Sequence, residues 1–200
     1  MKKRFFILAA ILAAVTVAAL PGCSTNTQGD SASPVFLVGS FTAPPLNACV
    51  NSLLPLPLTL PTTTVQGRLK NPAVTSLQFL DVQVEKYTIV WRRIDGGTKA
   101  SPTQDFAGGF LVPPNGSTTL SDYPYMSFSN RTQPPLDQLL PFNGGIDKET
   151  GRTEIHETGS VTWYGHTLSG QPVVSNVATF EMTFIYCASP AGRIEPTRAQ

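Results

Sequence analysis

An antiparallel β-sandwich is the fold class this chain predicts, on three observations. Eighteen prolines and sixteen glycines punctuate 200 residues, and only 14% of the residues are charged. Helix interiors tolerate neither proline nor glycine, and helices normally carry charge on their solvent side, so the composition argues against a helical protein. Between these breaks the apolar residues recur at every second position, the period of a half-buried strand. Roughly seven to nine such runs in one domain predict two facing sheets.

Val35–Phe41 is the opening apolar strand. Leu53-Leu54-Pro55-Leu56-Pro57-Leu58-Thr59-Leu60-Pro61 cannot be a central strand, because its prolines enforce extended backbone while removing amide donors; an edge or a polyproline-like cover over the core is expected. Thr62–Leu69 has the β-branched content of the next strand. Phe79–Arg93 is the strongest strand region, with Val82 and Val84 on one parity and Tyr87, Ile89 and Trp91 on the other. A parity change within one run would turn its apolar set to the opposite face, so a bulge or bend is predicted near Glu85-Lys86.

Asp95-Gly96-Gly97 marks a turn, Phe106–Val112 a strand, and Pro113-Pro114-Asn115-Gly116 another turn. Ser117–Ser129 reads as a strand interrupted at Pro124. Asn130–Arg152 is the longest loop, with a single helical turn at Leu136–Leu140 and a break at Asn143-Gly144-Gly145. Val161, Trp163 and Gly165 alternate with Thr162, Tyr164 and His166, and Leu168-Ser169-Gly170-Gln171 separates them from Val173–Val177, which predicts a hairpin. Ala178, Phe180, Met182, Phe184 and Tyr186 form an apolar face against Thr179, Glu181 and Thr183, the last strand.

The N-terminus has a different character. Met1-Lys2-Lys3-Arg4 is basic, Phe5–Leu20 is uncharged, and Pro21-Gly22-Cys23 follows. A basic region, an apolar region and small residues come in the order of a secretory signal. As a permanent span the apolar part is short, since crossing a bilayer takes about 20 apolar residues. Leu20-Pro21-Gly22-Cys23 resembles a lipobox, the motif of bacterial lipoproteins, with a departure at Pro21, where a small residue is commoner; efficiency of cleavage is the property on which that departure bears. The resemblance implies removal of 1–22, lipidation of Cys23, and a membrane partner engaged through acyl chains such as palmitate. Ser24 in place of an aspartate favours delivery to the outer membrane. Residues 23–34 read as a flexible tether, 35–190 as the domain and 191–200 as a C-terminal tail.

Loss of Lys2, Lys3 and Arg4 leaves 11 basic against 13 acidic residues, a net charge of 11 − 13 = −2. Nucleic acid is therefore not an expected partner, because phosphate neutralisation needs a basic face. Of three cysteines, lipidation of Cys23 leaves Cys49 and Cys187 in an oxidising compartment, and a bridge tying the first strand region to the last is favoured over two buried thiols.

The run Gly159-Ser160-Val161-Thr162-Trp163-Tyr164-Gly165-His166-Thr167-Leu168-Ser169-Gly170-Gln171-Pro172-Val173, followed by an aromatic-alternating strand, resembles the last hairpin of bacterial immunoglobulin-like or fibronectin-type sandwiches carried on lipoproteins. It covers the C-terminal fifth of the chain. Such modules imply a fold and an extracytoplasmic setting without a fixed activity.

Candidate chemistry is sparse. His156, between Glu154 and Glu157, carries the types needed for zinc binding or general-base work, yet the spacing matches no metal motif and no nucleophile elbow is present. Asp147, Glu149 and Glu154 offer oxygens to calcium without the spacing of a calcium loop, and a surface turn is the expectation. Trp91, Trp163, Tyr123, Tyr125 and Tyr164 suit either sugar stacking or the core, and strand aromatics are more often core. The expectation is thus a non-catalytic envelope lipoprotein with no cofactor, acting as a structural, adhesive or assembly module on another envelope protein through the Asn130–Arg152 loop. The alternative is a carbohydrate- or metal-dependent binding protein or hydrolase using His156, Glu154, Trp163 and Tyr164.

Overall fold

Alternating apolar residues become strands almost wherever they occur. The computed structural model describes residues 33–42, 45–51, 58–74 and 79–187, and contains eleven strands there. They are β1 (Val35–Phe41), β2 (Leu46–Cys49), β3 (Leu58–Thr59), β4 (Thr63–Leu69), β5 (Val82–Arg93), β6 (Gln104–Val112), β7 (Ser117–Leu120), β8 (Pro124–Met126), β9 (Glu154–Thr167), β10 (Pro172–Val174) and β11 (Ala178–Ile185). Eight have four residues or more, matching the expected seven to nine, and β3, β8 and β10 are shorter pieces. The signal 1–22, Cys23, the tether before Ser33, Pro55 and Pro57, and the tail 191–200 lie outside the described residues.

One sheet has the order β1-β4-β7 and the other β2-β11-β9-β5-β6, with β10 continuing the β11 edge of β9; β3 and β8 form a separate ladder. Every ladder is antiparallel except β2 with β11. β1, β4 and β7 on one face against β5, β6, β9 and β11 on the other is the partition of an immunoglobulin-like sandwich. The chain changes sheet between β1, which pairs with β4, and β2, which pairs with β11. The strand expected at Val173–Val177 is shorter than predicted, because the edge breaks at Ser175–Val177 where β1 crosses it. There Ser175 bridges Leu37, and the Asn176 carboxamide accepts from the Gly39 amide at 2.7 Å.

The core lies between the sheets. Trp163 is its largest fully buried side chain among the described residues and packs against Gly39, where a Cβ would run into the indole. Trp91 meets Phe180 and Phe184 edge-on at 5.5 and 5.7 Å, and Tyr125 joins them at 5.7 Å from Phe180. These pairs supply orientation as well as area.

The parity switch in β5 is a bulge, with the register shifting between Val84 and Lys86 against both neighbours. Against β9 Glu85 is the extra residue, whereas against β6 the extra residue is on β6, where Gly108 and Gly109 oppose Glu85. The kink brings the Gln83 carbonyl over Gly165 of β9 and the Val84 carbonyl onto Gly108 of β6, so neither position has room for a Cβ. Gly109 takes a positive φ of 78° beside it.

Two expectations near β8 need correction. Pro124 starts β8 instead of interrupting a strand; the break is Ser121–Tyr123, with Asp122 at φ 62°, and a proline lacking an amide suits a strand's first residue. Beyond Met126 the chain forms a helical turn, α1 (Phe128–Arg131), capped by Ser127, in place of a continuing strand. Ser33 is buried and accepts from the Val35 amide at 3.2 Å.

The ladders define two ends. Ser33, the start of β5, the 113–116 turn and the β9–β10 turn lie at the near end, while Arg93, the start of β9 and the end of β11 lie at the far end. The disulfide Cys49–Cys187 closes the far end, with Cα atoms 5.3 Å apart, as the cysteine count suggested. Asn51 extends the clip by accepting from the Cys187 amide at 2.9 Å.

Candidate functional site

Arg93, Asp147 and Glu157 bring buried charge together at the far end, and they do so because two of them, Arg93 and Glu157, take inward positions on otherwise apolar strand faces. Arg93 shares the parity of Tyr87, Ile89 and Trp91, and Glu157 that of Ile155, Val161 and Trp163. The two are register partners on β5 and β9.

Arg93 is held on all sides. Its Nε and Nη2 donate to the two oxygens of Asp95 at 2.8 Å each, Nη2 donates to Asp147 Oδ2 at 2.8 Å, and Nη1 to the Lys99 carbonyl at 3.2 Å. The Arg93, Asp95 and Asp147 side chains are 2%, 0% and 0% exposed. A fork donor facing two carboxylates is the arrangement in which a buried charge is tolerated. Burial pushes Asp95 up, but the guanidinium and the amides of His156 and Gly97 outweigh it and hold the carboxyl at about 2 against an ordinary 3.8. Asp147 is lowered in the same way: burial raises it, and Arg93 and Thr150 more than offset that.

Asp147 belongs to the loop after β8. It accepts from Thr150 Oγ1 at 2.6 Å and from the Thr150 amide at 3.1 Å, closing a turn completed by Gly151 at φ 71°. Glu149 then reaches the 95–101 connection, taking hydrogen bonds from Thr98 Oγ1 at 2.9 Å and the Lys99 amide at 3.1 Å. Asp147 is therefore no surface turn, contrary to expectation; the Arg93 charge draws it inside. Leu136 and Leu139, from the expected helical turn, are fully buried, whereas Phe142 is 81% exposed between them and Asp147.

Glu157 is a separate case. One carboxylate oxygen accepts from the Ser101 amide at 2.8 Å, and the other is buried with no hydrogen-bond partner among the described residues. Burial pushes its carboxyl up, by more than Ser101 and Arg93 pull it down. A carboxyl raised on folding stabilises fully below its unfolded range, and that contribution is lost as pH rises through the folded value. Glu157→Gln, which keeps the Ser101 bond, is thus expected to match the wild type in denaturant melts near pH 5 and exceed it near pH 9. The gain is about 1.4 kcal/mol for each tenfold by which folding tightens the carboxyl's hold on its proton. Parallel stability curves for the two proteins across that range would sink the assignment.

The residues singled out from sequence are not brought into one site. His156 lies on the outer face of β9, its Nε2 at 2.9 Å from Glu154 and its Nδ1 at 3.1 Å from Thr183 Oγ1, so both ring nitrogens are engaged. Trp163 faces the opposite side of the sheet and is fully buried. Tyr164 is on the outer face under the Lys86 ammonium, 5.2 Å from the ring centroid. Trp91 and Tyr125 are core residues, and Tyr123 packs against the core. Among the described residues no group of three metal-ligating side chains is present, and no helix is long and apolar enough to cross a membrane.

Arg93 and Asp95 carry no motif, Arg93 standing at the end of a strand and Asp95 at the start of the Asp95-Gly96-Gly97 turn. The available signal was parity: an arginine and a glutamate on inward faces of neighbouring strands require buried partners. Family models, curated proteins and solved structures were compared with the chain, and nothing matches.

Proposed function

We propose that the protein is a non-catalytic, lipid-anchored component of the bacterial cell envelope, delivered to the outer membrane, that contacts another envelope protein through its Asn130–Arg152 loop. The anchor reading rests on Leu20-Pro21-Gly22-Cys23, and it is supported by the cysteine count: the Cys49–Cys187 bridge leaves Cys23 as the one remaining thiol.

The observation that carries the contact surface is Phe142. It stands 81% exposed on a loop that Asp147 and Glu149 fasten to the far end. A large apolar side chain presented by a fixed backbone loses little entropy on docking, which is the economy of an aromatic anchor.

A photoreactive side chain at position 142, activated in the native bacterium, is expected to give one discrete cross-linked envelope protein. Phe142→Asp is expected to abolish recovery of that partner while changing stability by less than about 0.5 kcal/mol, as for a surface site. Unchanged partner recovery from a protein lacking residues 141–145 would exclude the loop. Anchoring is read separately, as recovery in the membrane fraction that is lost on Cys23→Ser.

A further inference from the structure

β1 fixes the end of the sandwich at which the described chain begins. β1 runs parallel to β10, with Leu37 opposite Ser175, so Ser33 lies level with the turn that joins β9 to β10. That turn carries Leu168, 51% exposed, and its amides pair with the segment carrying Phe79, 65% exposed: Leu168 donates to the Asp81 carbonyl at 2.9 Å and Ser169 to the Phe79 carbonyl at 3.2 Å. Two exposed large apolar residues therefore lie on backbone segments joined to each other at the near end. Arg68 and Lys70 are exposed at the same end, where the Lys70 amide donates to the Pro34 carbonyl at 2.8 Å.

The tip also leaves no amide bare. Thr167, Leu168, Ser169, Gly170 and Gln171 all donate within the fold, to Gln171 O, Asp81 O, Phe79 O, Thr167 O and Thr167 Oγ1. A turn with satisfied amides approaches an apolar phase at less cost than a loop whose donors are bare.

From Cys23 to Ser33 is 33 − 23 = 10 residues. Such a link spans at most about 35 Å. Held this close, a contact too weak to bind a membrane from solution becomes an intramolecular one at millimolar-order effective concentration. We propose that the near end rests on the phospholipid surface that holds Cys23, with Phe79 and Leu168 touching it. This rests on the lipid-anchored reading above.

The test uses the acylated protein reconstituted into vesicles of phosphatidylethanolamine and phosphatidylglycerol, with hydroxyl-radical labelling of Phe79 and Leu168 measured against Phe142 in the same molecule. Expected is flotation with the vesicles and several-fold slower labelling at Phe79 and Leu168 than their exposure relative to Phe142 predicts. Lengthening the tether fourfold with Gly/Ser residues is expected to lower the effective concentration roughly eightfold, by the −3/2 power of length, and so bring labelling at Phe79 and Leu168 back toward the proportion set by Phe142. In a Phe79→Asp/Leu168→Asp variant, the amides of Ser169 and Gly170 are expected to exchange as fast as in detergent-free controls without vesicles. Protein that fails to float overturns the anchor and this inference together. Protein that floats with Phe79 and Leu168 labelled in proportion to Phe142, or with the double variant equally protected, overturns this inference alone.

Discussion

Replacement of Cys49 and Cys187 by alanine is expected to be the most damaging change that leaves the core intact. The bridge closes 138 residues, so nearly the whole fold lies inside one loop. In the chain-entropy model a loop of that length is worth about 4–5 kcal/mol, a large share of the 5–15 kcal/mol typical of a domain. For a domain of this size that corresponds to a melting-temperature drop of roughly 10–20 °C. The local effect is concentrated on β2, which pairs with β11 over only four register positions and in the parallel sense. Amides of β2 should therefore exchange faster than those of β9 in the double variant. Thermal unfolding of the wild type with reductant should converge on the variant. A loss below about 1 kcal/mol would mean that strain in the native state cancels the entropic gain.

Arg93→Met is expected to cost about 3–5 kcal/mol, because it leaves Asp95 and Asp147 buried and uncompensated. The loss should be recovered in part by adding Asp95→Asn and Asp147→Asn, which removes the orphaned charges. The acid limb provides an independent reading. Asp95 is held at about 2 against 3.8, so its contribution is complete above about pH 4 and is lost as pH falls toward 2. That difference corresponds to about 2 kcal/mol. Without Arg93 the acid-induced fall in stability between those values should shrink, and amides of residues 147–152 should lose protection, since Asp147 is a main fastening of the long loop. An unchanged acid limb in Arg93→Met would show that the amide donors alone lower Asp95.

Fold class was legible because burial of one strand face imposes a two-residue period that survives any change in turn length. The bulge at Glu85 was legible for the same reason: a parity change has few physical outlets. The disulfide followed from counting. The far-end cluster was not legible as a cluster, since which carboxylate answers an inward Arg93 depends on a loop folding back over 54 residues, and no local signal encodes that return. Nor does alternation reveal that one strand-forming stretch serves two sheets; the change of partner between β1 and β2 is a property of the assembled sandwich. Phe142 looked like any apolar residue in a turn-rich stretch until its neighbours Leu136 and Leu139 were seen to take the buried places.

The placement of Cys49 also bears on mechanical load. A pull on the N-terminal chain reaches β1 along its own length, and the seven register pairs to β4 then resist together in shear instead of opening one at a time. If they yield, chain is released only as far as Cys49, where force passes through sulfur to the end of β11 and the unravelling stops. Everything from β3 to β11 remains behind that stop.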